Sequence, residues 1–404
     1  MFRGLLNLTK YNRNIKNSFF VNFLSTFIMQ GIFLVFIGIY IKSLGYGEGD
    51  VGKILAVNNI SVAGGSLLMA YIMMRYSRKT SLIFGVLSMS IGMYGISFFS
   101  SMGALIFFSG IIGMGFGFPL TAMGVLLTEN SRPEERVDIF STNFIIQSLG
   151  AVFGSYFGGK ISSVLTQNFS ETKAIPILFF LCATVLLGAI FPIQKLEEKK
   201  EVREKKRKKL YYSLGVLMKG KSLGYLIYNT VIGFGAGLVV PFFSVYLKFA
   251  LNIEDSWVGN IMALSQVGLV VGGLLVPYVS RKLGKVKTVI VCQLLSIPFL
   301  ISIAFPTGLF IVAVSFLIRS TLMNLNQPLV QNISMEIVDD ELRPLMSSLS
   351  QMTAYFTRAL SVLLAGYIME NFSYNTPYYF TVILYLISTY LFYKYFYSLN
   401  TKES

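Results

Sequence analysis

The chain has 404 residues, 54% of them hydrophobic and only 13% charged, with a net charge of +15 and no histidine. A soluble domain carries about 25% charged residues, and here the apolar residues come in long uninterrupted runs, which excludes an ordinary globular enzyme and points to a polytopic membrane protein. The cations sit mostly in short stretches between those runs, where they orient a protein in a bilayer, so the basic balance implies no nucleic-acid partner.

Cutting the chain at polar and turn-rich stretches predicts twelve helices: 18–41, 52–74, 80–100, 103–128, 138–165, 175–194, 222–247, 257–279, 287–306, 308–332, 345–369 and 374–397. Most approach or exceed the roughly 20 residues needed to cross about 30 Å of hydrocarbon. The basic start, with Arg3, Lys10, Arg13 and Lys16, precedes an apolar run too long for a signal-peptide core, so it reads as a retained first span. That first helix carries Asn22, Thr26 and Gln30 at i, i+4 and i+8, one polar stripe on an apolar rod. The 75–79 loop is basic, with Arg75, Arg78 and Lys79. The fourth helix holds the glycine-rich IGMGFGFP (112–119), which lies in a span and reads as close packing near Pro119. The fifth offers Asn143 and Gln147, then GAVFGSYFGG (150–159).

At the midpoint, QKLEEKKEVREKKRKKL (194–210) is the one long charged run. It reads as a solvated linker, with binding to anionic lipid headgroups as the alternative. The expected organisation is an amino-terminal six-helix half (1–194), a basic linker (195–221) and a carboxy-terminal half (222–404). Lysine and arginine favour the amino-terminal tail, the 75–79 loop, the linker and the 281–287 loop. The alternate loops are poor in cations, so both termini and the linker are expected in the cytoplasm and the chain in the cell membrane.

Beyond the linker, the seventh helix has Asn229 and Thr230, and the eighth Asn260 and Gln266. The tenth places Ser315, Arg319 and Asn326 on one side, and the eleventh Gln351, Tyr355 and Arg358, since spacings of three, four and seven keep residues on one helical face. Any single amide serves as packing glue between helices as readily as it contacts a ligand. Cys182 and Cys292 lie in apolar segments without metal-ligand spacing and read as packing residues; no metal or cofactor is expected. With no histidine, no buried carboxylate pair and no nucleophile motif, no enzyme reading survives.

Sliding the second half back by about 207 residues lays one half over the other. Tyr40 and Lys42 fall on Tyr246 and Lys248, Gly52 on Gly259, Arg75 on Lys282, Arg78 on Lys285, Glu129 on Glu336 and Arg136 on Arg343. Two halves of like orientation form a parallel repeat of the kind secondary transporters use. The chain here resembles the major facilitator superfamily over essentially its whole length. AYIMMRYSRK (70–79) is similar to that family's loop signature G-x-x-x-D-R-x-G-R-K, with Met74 in place of aspartate. PYVSRKLGKV (277–286) is a second copy, with Arg281 at the aspartate position, and ENSRPEER and EIVDDELR fit the E-x6-R element. The resemblance implies a twelve-helix fold and a small-molecule substrate moved by alternating access. It also implies cytoplasmic charge networks built from Arg75, Arg78, Glu129, Arg136, Lys282, Lys285, Glu336 and Arg343, including a Glu129–Arg136 pairing. GAVFGSYFGG resembles the drug–proton antiporter motif with Ser155 for proline, which reads either as efflux direction or as GxxxG packing.

Arg319 and Arg358 fall near the middle of their helices, with no acid near the middle of any helix, and their repeat positions are Ile112 and Ala151. Uncompensated guanidinium groups suggest an anionic ligand; bonding to carbonyls, amides and water for stability is the competing reading, and cation–π contact with Tyr355 or Phe316 a third. In the family, helices 1, 4, 7 and 10 line a cavity, with 2, 5, 8 and 11 between halves. The candidate substrate contacts are therefore Arg319, Arg358, Gln30, Asn326, Gln351, Tyr355, Asn143 and Gln147. The expected function is secondary transport of an organic anion or amphipathic acid by a monomer. Multidrug efflux is the alternative, and from another class a lipid flippase or a transport-inactive sensor.

Overall fold

The computed structural model describes residues 11–72, 77–132, 135–197, 215–339 and 342–400. Among them lie twelve long helical segments and no strand: α1 (Arg13–Ser43), α2 (Glu48–Ile72), α3 (Arg78–Phe98), α4 (Met102–Glu129), α5 (Arg136–Thr166), α6 (Glu171–Leu187, followed by the short helix Ile190–Gln194), α7 (Gly220–Ala250), α8 (Asp255–Leu283), α9 (Lys285–Ala304), α10 (Leu309–Glu336), α11 (Arg343–Asn371) and α12 (Thr376–Asn400). Ten of these segments, all but α5 and α12, contain stretches long and apolar enough to cross a membrane. Large apolar side chains midway along the long helices are more than half exposed, among them Ile91, Leu295 and Ile383, as expected of helix faces that meet lipid.

Several helices overrun their apolar windows by about a turn, because their first residues are polar groups that satisfy the helix end. Asn12 caps α1 by accepting from the Ile15 N–H at 2.9 Å, and Ser77 caps α3 by accepting from Thr80 at 3.0 Å. At the repeat position of Ser77 the second half has Gly284, with φ +79°, a conformation that favours glycine, so the two signature loops enter their helices differently. Two helices contain π-helical stretches, Phe27–Phe33 in α1 and Tyr246–Ala250 in α7.

The residues group into two compact units. The first holds those within Met1–Lys199, Pro241–Gln266 and Val362–Tyr374; the second, those within Lys200–Val240, Val267–Ser361 and Asn375–Ser404. In the first unit α2 and α3 pack on α4, and α1 on α5. The close approach of α1 and α5 depends on glycine: a Cβ on Gly31 would lie 2.5 Å from the Gly154 Cα. In the second unit α9 packs on α10 and α12, and α7 on α12, around Tyr228, Phe392, Phe396 and Leu329.

The repeat of 207 residues holds at the level of contacts. Gly65 presses on the Met114 carbonyl in the first unit, and Gly272, 207 residues on, presses on the Thr321 carbonyl in the second. Each pair lets two helices approach at backbone distance where any side chain would wedge them apart.

Candidate functional site

In the first unit the polar stripe of α1 is divided. Asn22 donates to the Asn143 side-chain oxygen of α5 at 2.6 Å, and Thr26 donates back to the Asn22 carbonyl at 2.8 Å; all three side chains are buried. A Cβ on Gly150 would lie 2.5 Å from the Thr26 hydroxyl, so this part of the stripe forms the α1–α5 seam. Gln30, in the π-helical stretch, and Gln147 stay half-buried. GAVFGSYFGG is spent on packing: Gly150 and Gly154 meet the α1 backbone, Gly158 meets Ile32 and Phe36, and Gly159 meets Gly259.

The second unit contains a buried polar seam that sequence reasoning did not find. Gln293 of α9 donates to the Tyr228 hydroxyl of α7 and accepts from the Thr389 hydroxyl of α12 at 2.9 Å. One turn earlier on α12, Tyr385 accepts from Arg319 Nη2 at 3.0 Å. Arg319, 5% exposed, therefore turns toward α12. The repeat positions of Tyr228, Gln293, Arg319, Tyr385 and Thr389 are Val21, Val86, Ile112, Leu178 and Cys182, all buried and apolar or nearly so. The seam is thus confined to one half. That contrast was the available signal, and it needed all five positions compared together.

Arg358 behaves differently from Arg319. It lies midway along the α11 span Leu345–Asn371 and is exposed, and among the described residues it makes no hydrogen bond or ion pair. Gln351 is exposed and Tyr355 half-buried on the same face. The large apolar residues that α11 exposes, among them Met352, Phe356, Leu360, Leu363 and Tyr367, form a second stripe. At about 100° per residue, Arg358 is about 160° around the helix from Phe356. α11 therefore exposes two faces, one apolar and one polar, with Arg358 on the polar face. On α10, Asn326 is 3% exposed, and neither its amide nitrogen nor its oxygen finds a partner among the described residues.

The charged elements near the signature loops resolve into local pairs. Arg78 Nη2 binds Glu129 Oε1 at 2.5 Å, and at the repeat position Lys285 Nζ binds Glu336 Oε1 at 2.6 Å. Glu129 is thus held by Arg78, while Arg136 is exposed. Arg343 donates from Nε to the Met335 carbonyl at 2.9 Å, and Lys282 lies 4.5 Å from the Tyr278 ring centre. Arg75 lies outside the described residues, as does most of the linker.

Sequence reading also passed over two buried acids, Glu48 and Asp255, which precede the helix starts expected at 52 and 257 and open the observed helices instead. They are 7% and 2% exposed and occupy the same repeat position. Lys42 binds Glu48 at 2.6 Å, and Lys248 binds Asp255 at 2.8 Å and Glu171 at 2.7 Å. Burial and the Glu48 carboxylate push the Tyr374 hydroxyl pKa up.

With this geometry in place, comparison with known proteins is direct. The family model described as Major Facilitator Superfamily matches residues 18–229 and again 225–404. The chain belongs to the major facilitator superfamily. The double match is the two-fold repeat seen above in the glycine contacts and the lysine–carboxylate pairs. No curated protein matches the chain. Among solved structures, it is similar to a mutant of the nucleoside transporter NupG, with a TM-score of 0.81, 13% identity and coverage of 95% of this chain and 100% of that one. A bacterial homologue of the human lysosomal transporter Spinster, in an inward-facing and occupied conformation, gives 0.77 at 13% identity, covering 94% of this chain and 95% of the other. A D-xylose–proton symporter gives 0.70 at 13% identity, with 95% and 96% covered. The major facilitator fold is therefore shared with transporters of unlike cargo, and the substrate has to be argued from this chain's own residues.

Proposed function

We propose that this major facilitator protein is a secondary transporter that moves a small organic anion or amphipathic acid by alternating access, with Arg358 contacting the anionic group. The observation that carries the reading is Arg358 itself. It is a guanidinium at the midpoint of a membrane span, exposed on the polar face of α11, without a carboxylate partner among the described residues. A cation in that position is costly unless an acceptor arrives from outside the protein, and a planar guanidinium suits a carboxylate, sulfonate or phosphate. Gln351 and Tyr355 add neutral donors on the same face. Arg319 is assigned to holding α10 against α12 through Tyr385.

The test is uptake into proteoliposomes of a panel of labelled organic anions, cations and neutral sugars. Losing one charge-assisted hydrogen bond costs about 1.5–3 kcal/mol, so Arg358→Gln should weaken anion transport about 10- to 100-fold in apparent affinity, with Arg358→Lys in between. Equal transport of anions by Arg358→Gln and the parent rejects the assignment. Multidrug efflux is the second reading, resting on the resemblance of the α5 glycine run to the drug–proton antiporter motif although those glycines also pack against neighbouring helices; dye extrusion from cells that the Arg358→Gln change leaves intact would decide for it. We place the linker and both termini in the cytoplasm of a cell-membrane monomer, on the distribution of lysine and arginine among the loops.

A further inference from the structure

We propose that the π-helical stretch of α1 is a one-residue insertion, absent at the same place in the other repeat, and that the side chain it sets free, Gln30, is an uncharged substrate contact that selects among the anions this protein carries. The second part rests on the transport reading above; the first part does not.

The register shows the insertion. In the first unit Asn22 of α1 donates to Asn143 of α5, and a Cβ on Gly31 of α1 would lie 2.5 Å from the Gly154 Cα and 2.9 Å from the Ala151 carbonyl. The image of the first contact, in the second unit, is Asn229 of α7 donating to the Ser350 carbonyl of α11 at 3.2 Å, both residues 207 further on. The image of the second is Gly237 of α7, where a Cβ would lie 2.8 Å from the Ser361 side chain and 3.4 Å from the Arg358 Cα. Ser361 and Arg358 are again 207 residues on from Gly154 and Ala151, but Gly237 is only 206 on from Gly31. Over the same eleven residues of the partner helix, α1 therefore takes nine residues where α7 takes eight. The extra residue falls in the π-helical stretch Phe27–Phe33, which ends with the Leu34 N–H bonded five residues back to the Met29 carbonyl. A regular α-helix would not absorb it: at about 100° per residue, nine steps from Asn22 put Gly31 about 180° around α1, whereas eight put it within about 80°. The offset of 206 persists at Tyr40 and Lys42, over Tyr246 and Lys248, and returns to 207 at Gly52 and Gly259. The second π-helical stretch, Tyr246–Ala250 of α7, begins at that return.

The insertion decides what Gln30 can do. Single π-helical turns inside α-helices concentrate at functional sites, and this one turns out its one polar side chain. In FIMQGIF (27–33) only Gln30 is polar, and only Phe27 and Gln30 are not buried. Among the described residues the Gln30 side chain makes no hydrogen bond, whereas Asn22, eight residues earlier on the same stripe, is spent on Asn143. Asn22, Thr26 and Gly31 complete the α1–α5 seam without it. By either offset its counterpart in α7 is Ala236 or Gly237, and neither carries a hydrogen-bonding side chain. A free primary amide offers two donors and an acceptor without charge. It therefore suits an organic anion that bears a hydroxyl, carbonyl or amide in addition to its acid.

Insertion and contact are tested separately. Deleting Gln30 gives α1 the length that α7 already has, so the melting midpoint in detergent should stay within about 4 °C of the parent. Deleting Ile39 instead, fully buried in the α-helical part beyond the stretch, turns the rest of α1 by about 100°. That deletion should lower the midpoint by more than about 10 °C or leave no folded protein. In a background with Cys182→Ala and Cys292→Ala, Gln30→Cys should react with the water-soluble sulfonatoethyl methanethiosulfonate about tenfold or more faster than Ile28→Cys or Ile32→Cys, both buried. Uptake of the anion panel is then extended to pairs that differ by one hydroxyl, propionate with lactate and benzoate with 4-hydroxybenzoate. Gln30→Leu should shift the ratio of hydroxylated to plain anion about three- to tenfold at an unchanged melting midpoint, with Gln30→Asn in between. Unchanged ratios in Gln30→Leu, or labelling of Gln30→Cys as slow as that of Ile28→Cys, overturn the contact while Arg358 keeps its own test. A parent that takes up no organic anion overturns the transport reading and the contact with it, and the insertion still stands or falls on the deletions. A Gln30 deletion as costly as the Ile39 deletion overturns the insertion.

Discussion

The sharpest energetic consequence concerns Lys248, which serves two carboxylates at 2.8 and 2.7 Å. At an effective dielectric of about 20, each contact is worth about 6 kcal/mol of gross attraction. Desolvation of the ions takes most of that back, so the pair as such adds little. Removing the shared cation is another matter, because Lys248→Met strands Asp255, whose side chain is 1% exposed, beside a second negative charge. Breaking a buried pair from one side costs about 3–5 kcal/mol. Asp255→Asn is milder: Lys248 keeps Glu171, and the amide that replaces the carboxylate still meets the Ser162 hydroxyl, so a cost of about 1–2 kcal/mol is expected. The double variant should recover part of the Lys248→Met loss, a coupling that a double-mutant cycle measures. The readout is denaturant unfolding in detergent followed by emission of Trp257, the chain's only tryptophan, two residues from Asp255 on α8. Equal costs for the two single changes, or a Lys248→Met protein within about 1 kcal/mol of the parent, would refute the shared-cation argument.

The second-unit seam makes a contrasting prediction. Gln293→Leu alone should cost about 1–3 kcal/mol, since it leaves the buried Tyr228 hydroxyl without its amide donor, while Thr389 keeps only the Tyr385 carbonyl of its own helix. Adding Tyr228→Phe and Thr389→Val, toward the apolar character of Val21 and Cys182 in the first half, should restore most of it; unfolding midpoints give the comparison. The glycine joints should respond in matched pairs: Gly65→Ala and Gly272→Ala each drive a methyl into a backbone carbonyl and should each cost about 1–3 kcal/mol, whereas Gly64→Ala, with open space around it, should be silent in the same assay. At the signature loops, Glu129→Gln should match Arg78→Gln in effect, with no rescue of Glu129→Arg by Arg136→Glu, because Glu129 pairs with Arg78; transport rates of the four variants check it.

The membrane character, the all-helical fold class and the internal repeat were legible in the sequence because each rests on local properties. Twenty apolar residues declare a span wherever they occur, and lysines at a constant offset declare a duplication without reference to distance. Paired features such as Arg78 with Lys285 and Glu129 with Glu336 therefore reappeared as matching ion pairs.

What the sequence could not show is which of two like residues meets a partner from a distant helix. Arg319 and Arg358 look alike, each a lone cation in mid-span. Only packing turns one inward to Tyr385, 66 residues away, and leaves the other on an exposed polar face. In the same way Asn22 and Gln30 belong to one stripe, yet Asn22 is taken by Asn143, while Gln30 falls in the π-helical stretch and stays half-buried. Glu48 and Asp255 precede the helix starts expected from the sequence, and only the fold buries them beside lysines and brings Tyr374 and Ser162 of the opposite repeat onto them. Burial and partner choice arise from contacts between residues far apart in the chain, and the energy of a charge depends on them far more than on its neighbours in sequence. Helical character, span and repeat were decided by the sequence; the tertiary structure decided which charges are buried in pairs, which one holds two helices together and which one is left facing outward.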